Sequence, residues 1–184
     1  MLEIRFHGRA GQGIVTAAEL LAEAAAMEGK YSQAFPFFGS EKRGPPVTSY
    51  CRIDSRPILI HEEIEKPDLV IVAEPSVLAE VQVDAGLKKE GQLIVNSSQP
   101  KEKIHLNGHS FSVVNGTDIA LKYFKKPITN TVMLGALCKL TGIVKLDSIK
   151  KAISNRFPEK IAALNIKAIQ ECYDAIPSGP SGGF

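Results

Sequence analysis

Apolar and polar residues alternate through Leu2-Glu3-Ile4-Arg5-Phe6, a period of two that predicts a strand with one buried face. From Val15 to Glu28 the chain turns to Ala, Leu and Glu with no Gly or Pro, which predicts a helix. Gly29 stops that run, and Tyr31 to Phe35 suits a second strand. Val47 to Ile53 alternates again, Asp54-Ser55-Arg56-Pro57 reads as a turn, and Ile58-Leu59-Ile60 reads as the returning arm of a hairpin. Asp68 to Ala73 differs in kind: its continuous apolar run suits a strand buried on both faces of a parallel sheet. Gln92 to Asn96 and Ser110 to Val114 repeat that signal, and Glu74-Pro75-Ser76 opens a helix to about Val83.

A helix to Phe124 follows Asn115-Gly116-Thr117-Asp118, where Thr117 or Asp118 suits the cap. From Ile128 onward the pattern is helical. Thr129-Asn130-Thr131 is a cap signal for a helix that ends at Gly142, with Gly135 and Ala136 small enough for close packing. Asp147 opens the next helix, to about Asn155, and Pro158-Glu159 the last, to about Ala175. Residues 1–176 therefore read as a single domain of class α/β. It is Rossmann-like, a mostly parallel sheet with flanking helices, a β-hairpin insertion and a helical C-terminal part. Residues 177–184 read as a flexible tail.

At 184 residues the chain can build a real core, and a net charge of +2 gives no argument for nucleic acid. Lys88-Lys89, Lys125-Lys126 and Lys150-Lys151 are scattered and read as solvated faces. No apolar run reaches a membrane span and no signal pattern opens the chain, so a cytoplasmic location is expected. Cys51, Cys138 and Cys172 are far apart and form no C-x-x-C pair, which argues against a cluster or zinc site in this chain. Cys138 and Cys172, in apolar helical contexts, read as buried and inert. His61, His105 and His109 show no metal spacing and read as surface or strand-edge residues.

Chemistry concentrates where the first strand meets the first helix, at Gly8-Arg9-Ala10-Gly11-Gln12-Gly13. A glycine loop between strand and helix presents backbone N–H groups and the positive end of a helix dipole to an anion. The alternative is that the glycines only let the helix pack closely on the sheet. The spacing Gly8-x-x-Gly11-x-Gly13 departs from the dinucleotide fingerprint, Lys30 to Phe35 holds no Asp or Glu to grip a ribose, and no Lys-Ser or Lys-Thr completes a P-loop. The ends of the parallel strands gather ligands in such sheets, and Gly8, Glu74, Asn96 and Asn115 to Asp118 fall there. Glu74 also suits ordinary first-turn chemistry. No complete catalytic set is present.

Phe35 to Pro46 holds three prolines, two glycines and three phenylalanines, so it reads as a long stiffened loop. Its aromatics either fold back on the domain or anchor a partner, with Phe35, Phe37, Phe38 and Arg43 as candidate interface residues. Arg43 suits either Glu41 or an anion.

Read together, these stretches resemble a known family. His7 to Gly13 followed by Ala17 to Ala24 is similar to its N-terminal signature, apart from Ala10 where the common form has glycine. Gln33 to Pro36, Phe38 to Gly44 and Arg52-Ile53 match its second block, and Asn130 to Leu137 its third. The family is the gamma subunit, or gamma domain, of the 2-oxoacid:ferredoxin oxidoreductases, and the pyruvate enzyme is the most similar. The resemblance implies a non-autonomous subunit of an oxidoreductase that decarboxylates a 2-oxoacid on thiamine diphosphate, giving acyl-CoA, CO2 and reduced ferredoxin. It implies thiamine diphosphate, Mg and [4Fe-4S] clusters in the other subunits, with alpha, beta and delta (ferredoxin-like) chains as partners. Coenzyme A is the substrate that the glycine loop would suit. Docking through the Phe35 to Pro46 loop is a second reading, and a free-standing nucleotide-binding domain a third. The oxoacid itself (pyruvate, 2-oxoglutarate, 2-oxoisovalerate or indolepyruvate) is left open.

Overall fold

The computed structural model describes residues 1–37, 45–104, 106 and 108–177. Strands β1 (Leu2–Arg9), β2 (Tyr31–Phe37), β3 (Pro46–Asp54), β4 (Leu69–Val72), β5 (Gln92–Asn96) and β6 (Phe111–Val114) form one sheet in the order β2-β3-β1-β4-β5-β6. The pairs β1–β4, β4–β5 and β5–β6 are parallel, whereas β3 runs antiparallel to both β1 and β2. Helices α1 (Ile14–Met27), α2 (Gly116–Phe124), α3 (Asn130–Thr141), α4 (Leu146–Arg156) and α5 (Glu159–Ala175) complete the fold. A mostly parallel α/β architecture is therefore what these residues build.

Alternation along the strands divides two cores. Ile4 and Phe6 of β1 and Leu69 and Ile71 of β4 pack with α1, α3, α4 and α5 in the larger core. Val70, Val72, Leu93 and Val95 face the other way, against Val77, Val83 and Leu87. All four side chains of β4 are thus buried, which is why that strand carries no polar position. Gly135 lets α3 meet α5 closely, because a Cβ there would stand 2.4 Å from the carbonyl oxygen of Ile169.

The second face of β1 is polar. Arg5 is buried and donates to the carbonyls of Val83 at 2.9 Å and Ala85 at 2.6 Å. Its Nε also donates to Nε2 of buried His7 at 3.0 Å, so His7 is neutral with its proton on Nδ1, an atom without a hydrogen-bond partner among the described residues. Burial, followed by the charge of Arg5, pushes the His7 imidazole down to about 3.

Several expectations are corrected. Ile58 to Ile60 forms no strand; the hairpin is β2–β3, and β3 pairs with β1 on its other side. Phe35 to Phe37 and Pro46 are strand residues and not loop, since Pro36 lies on the edge strand where a missing N–H costs no ladder bond. The expected helix after Glu74 is only a 3-10 turn, Pro75–Ala79. Residues 38–44, with Phe38, Glu41 and Arg43, lie outside the described residues, as do His105 and residues 178–184.

Candidate functional site

The parallel strands end on one edge of the sheet, where Gly8 and Arg9, expected in the loop, close β1 and Ala10 to Gly13 lead into α1. Gly11 and Gly13 have φ of 85° and 74°, a left-handed backbone that glycine adopts without strain. Gly11 has open space around it, while a Cβ on Gly8 would collide with the Ile14 side chain and one on Gly13 with the Asn130 amide. Gly8 and Gly13 are thus packing glycines as well as loop glycines. Gln12 closes the loop on itself: its side-chain oxygen accepts the Arg9 N–H at 3.1 Å.

The same Gln12 side chain donates to Glu74 at 2.9 Å, and Glu74 caps the 3-10 turn by accepting the Ser76 N–H at 3.1 Å. Arg9 reaches that turn as well, through a bond of 2.8 Å from Nε to the Ser76 hydroxyl and an ion pair with Glu80. That contact raises the Arg9 guanidinium above its ordinary range. Burial pushes the Glu74 carboxyl up, but bonds from Gln12 and Ser76 and the charge of Arg9 outweigh it, so Glu74 stays ionised.

Helix N-termini converge on this edge. Gly13 opens α1 with no side-chain cap, and Thr129 opens α3 likewise. The expected cap residues of α3 act across the fold instead. Thr129 donates to the Ala73 carbonyl at 2.7 Å, Asn130 to the Gly13 carbonyl at 3.0 Å, and Thr131 to Asn165 at 2.6 Å. The expected cap of α2 is corrected too: Asn115 accepts the Asp118 N–H, while Thr117 pairs with buried Asn96. Asn96 also donates to the Ala73 carbonyl at 2.8 Å, so β4, β5, α2 and α3 are tied at one point. The arrangement sets the dipole ends of α1 and α3 and one guanidinium around a loop whose Arg9, Ala10 and Gln12 N–H groups are already bonded within the chain, to the Gln12 side chain, the Pro45 carbonyl and the Arg9 carbonyl.

The structure therefore brings Arg9, Gln12, Glu74, Asn96 and Asn130 to one edge. Ser76 and Glu80 were not candidates from the sequence, and an Arg facing a Glu about 70 residues on leaves no periodic trace. The interface candidates sit elsewhere. Phe35 stacks on Tyr50 and His61 with ring centroids 5.2 and 4.6 Å away, so it folds back on the domain, while Phe37 is 44% exposed. His61 is exposed. All three cysteines are buried, and among the described residues no three His, Cys, Asp or Glu side chains gather as a metal site. No helix of the described residues is long and apolar enough to cross a membrane.

Residues 3–175 match the family described as Pyruvate ferredoxin/flavodoxin oxidoreductase. The chain is 51% identical over 178 residues to the pyruvate/ketoisovalerate oxidoreductases common subunit gamma of Pyrococcus furiosus, covering 95% of this chain and 96% of that one. Among solved structures it is similar to the pyruvate oxidoreductase subunit PORC of Thermotoga maritima, with a TM-score of 0.80 at 42% identity over 94% and 95% of the two chains. A 2-oxoglutarate:ferredoxin oxidoreductase of Magnetococcus marinus, solved with 2-oxoglutarate, coenzyme A and succinyl-CoA bound, shares the fold. There the TM-score is 0.72 at 20% identity, over 97% of this chain and 32% of that one. The chain belongs to the pyruvate ferredoxin/flavodoxin oxidoreductase family, as the gamma-type subunit of a multi-subunit 2-oxoacid:ferredoxin oxidoreductase.

Proposed function

We propose that this subunit serves a pyruvate-oxidising complex and that its glycine loop lends that complex part of the coenzyme A site. One observation carries the reading: the Gly8–Gly13 loop lies where α1 and α3 both begin without side-chain caps, with Arg9 at its mouth. Coenzyme A brings a diphosphate and a further phosphate, the chemistry that backbone N–H groups, helix dipoles and a guanidinium recognise. Bound coenzyme A in the Magnetococcus enzyme, about a third of which shares this fold, is consistent with it. Glu80 holds Arg9 in this state, so an anionic ligand would compete with that carboxylate for the guanidinium.

The redox chemistry falls to other chains of the complex, which alpha, beta and delta partners would supply with thiamine diphosphate, Mg and [4Fe-4S] clusters before electrons pass to ferredoxin. The cysteines here do not suit an iron–sulfur cluster, because burial raises the Cys138 and Cys172 thiols to about 12 and disfavours the thiolate. Such a complex works in the cytoplasm. The Pyrococcus relative is named as common to pyruvate and ketoisovalerate enzymes, which supports 2-oxoisovalerate as the second substrate and a reading in which other chains discriminate between oxoacids.

The test is an anaerobic purification through a tag on this chain, followed by assay of CoA-dependent viologen reduction. Pyruvate, 2-oxoglutarate, 2-oxoisovalerate and indolepyruvate are compared. Activity greatest with pyruvate and dependent on coenzyme A is expected; activity with 2-oxoglutarate or indolepyruvate alone, or a chain that purifies inactive with no companion subunits, contradicts the reading.

A further inference from the structure

We infer that Pro57 to Glu65, with the face of β2 beneath it, is the surface that docks a companion subunit, and that the companion presents there an apolar patch bordered by lysine or arginine. The inference rests on the reading of this chain as one subunit of a larger complex and assigns the surface through which it joins.

The sequence of the segment is unusual for solvent: Ile58-Leu59-Ile60 followed by His61-Glu62-Glu63-Ile64-Glu65. Such a run normally turns its apolar side chains inward. Here only Ile64 is fully buried, while Leu59 is 92% exposed and Ile60 39%. The segment is fixed in that pose. His61 stacks on Phe35 and meets Gln33 at 2.6 Å, the Tyr50 hydroxyl donates to the Glu63 carboxylate at 3.2 Å, and Arg52 and Arg5 approach the carbonyls of Glu63 and Ile64 at 3.4 Å. Leu59 thus lies in solvent two residues from an anchored ring. A backbone tied down on one side of it has less freedom to lose on binding, which is what a docking surface needs.

Its surroundings extend the patch. Tyr31, Phe35 and Phe37 share one face of β2 by alternation, and Tyr31 is 49% exposed. The segment leaves β3 beyond Asp54, which is paired with Tyr31, and lands on β2 at Gln33 and Phe35. Leu59 and Ile60 therefore lie toward the Tyr31 end of that face. Clustered apolar exposure of this kind marks interfaces, unlike isolated surface leucines.

Charge selects the partner. Glu62, Glu63 and Glu65 are exposed and, with Glu3, line a cleft whose cations are Arg52 and Lys66. Arg52 is already engaged with Glu3 at 3.1 Å, which leaves the rim acidic. A second copy on a two-fold axis would bring two acidic rims into one interface, so the complement is a different chain with a basic border. Pro36 removes a donor from the β2 edge, which favours docking on the face over strand addition along the edge.

The test uses the complex obtained through a tag on this chain in its native cells. Leu59→Asp is expected to lower recovery of the companion subunits by about tenfold or more, with the thermal midpoint of the isolated chain unchanged because the side chain lies in solvent. The double variant Glu62→Lys, Glu65→Lys is expected to lose companions at low salt and regain them partly at high salt, as screening weakens the new repulsion. Companion recovery at the wild-type level in both variants overturns the inference. So does an isolated wild-type chain that is dimeric and becomes monomeric on Leu59→Asp, which would assign the face to a second copy. A wild-type chain that brings down no cluster-bearing subunits overturns the subunit reading itself, and this inference with it.

Discussion

The Asn130 side chain donates to the Gly13 carbonyl at 3.0 Å across 117 residues, and it fills the space a side chain on Gly13 would need. The start of α3 is therefore fitted to the start of α1. Gly13→Ala would set a Cβ 2.3 Å from the Asn130 amide nitrogen and force alanine to a φ of 74°. A loss of about 2–4 kcal/mol is expected from left-handed strain and overpacking together. In a double-mutant cycle with Asn130→Gly, measured by urea unfolding, part of that loss should be recovered, because the clash goes and the strain stays.

That relationship also shows what the chain discloses about itself. Leu69 to Val72 is legible as a doubly buried strand because no solvent-facing position interrupts it, and the glycine loop because strand, glycines and helix are contiguous. Thr129-Asn130-Thr131 reads locally as a cap, yet all three side chains serve partners from 34 to 117 residues away. Ile58 to Ile60 reads as a strand because apolar content normally signals burial, and here Leu59 and Ile60 are exposed. The Arg9–Glu80 pair is set by how a short 3-10 turn falls against the end of β1. Local pattern finds elements; contacts between distant elements leave no period to read.

The neutral His7 makes stability depend on pH in a defined window. Its folded value of about 3 lies below the ordinary 6.5, so between them the unfolded chain takes up a proton that the native chain does not. Stability from this group is complete above the ordinary value and falls as pH drops toward the folded value, by at most about 1.4 kcal/mol per pH unit. His7→Gln keeps an acceptor for Arg5 and does not titrate. Urea midpoints measured from neutral to acid pH should fall less steeply for the variant than for the wild type.

Burial also silences the thiols. Cys138 and Cys172 are raised to about 12, and Cys51 is raised further by complete burial. Native protein at pH 8 should therefore show none of its three thiols reacting with Ellman's reagent over minutes, and all three in denaturant.

Releasing Arg9 should strengthen anion binding. Glu80→Gln removes the carboxylate that pairs with the guanidinium while keeping the shape of the side chain. If the loop holds coenzyme A, the assembled complex should bind it several-fold more tightly, roughly 2–5-fold, since the pair is exposed to solvent and weak. The gain should shrink as salt is raised.

The most direct test of the account is the KM for coenzyme A in the assembled complex carrying Arg9→Ala. A rise of about tenfold, with subunit composition unchanged and the KM for the 2-oxoacid unmoved, is the predicted result. An unchanged KM for coenzyme A in a fully assembled complex would contradict it, and would leave the glycine loop as packing between β1 and α1.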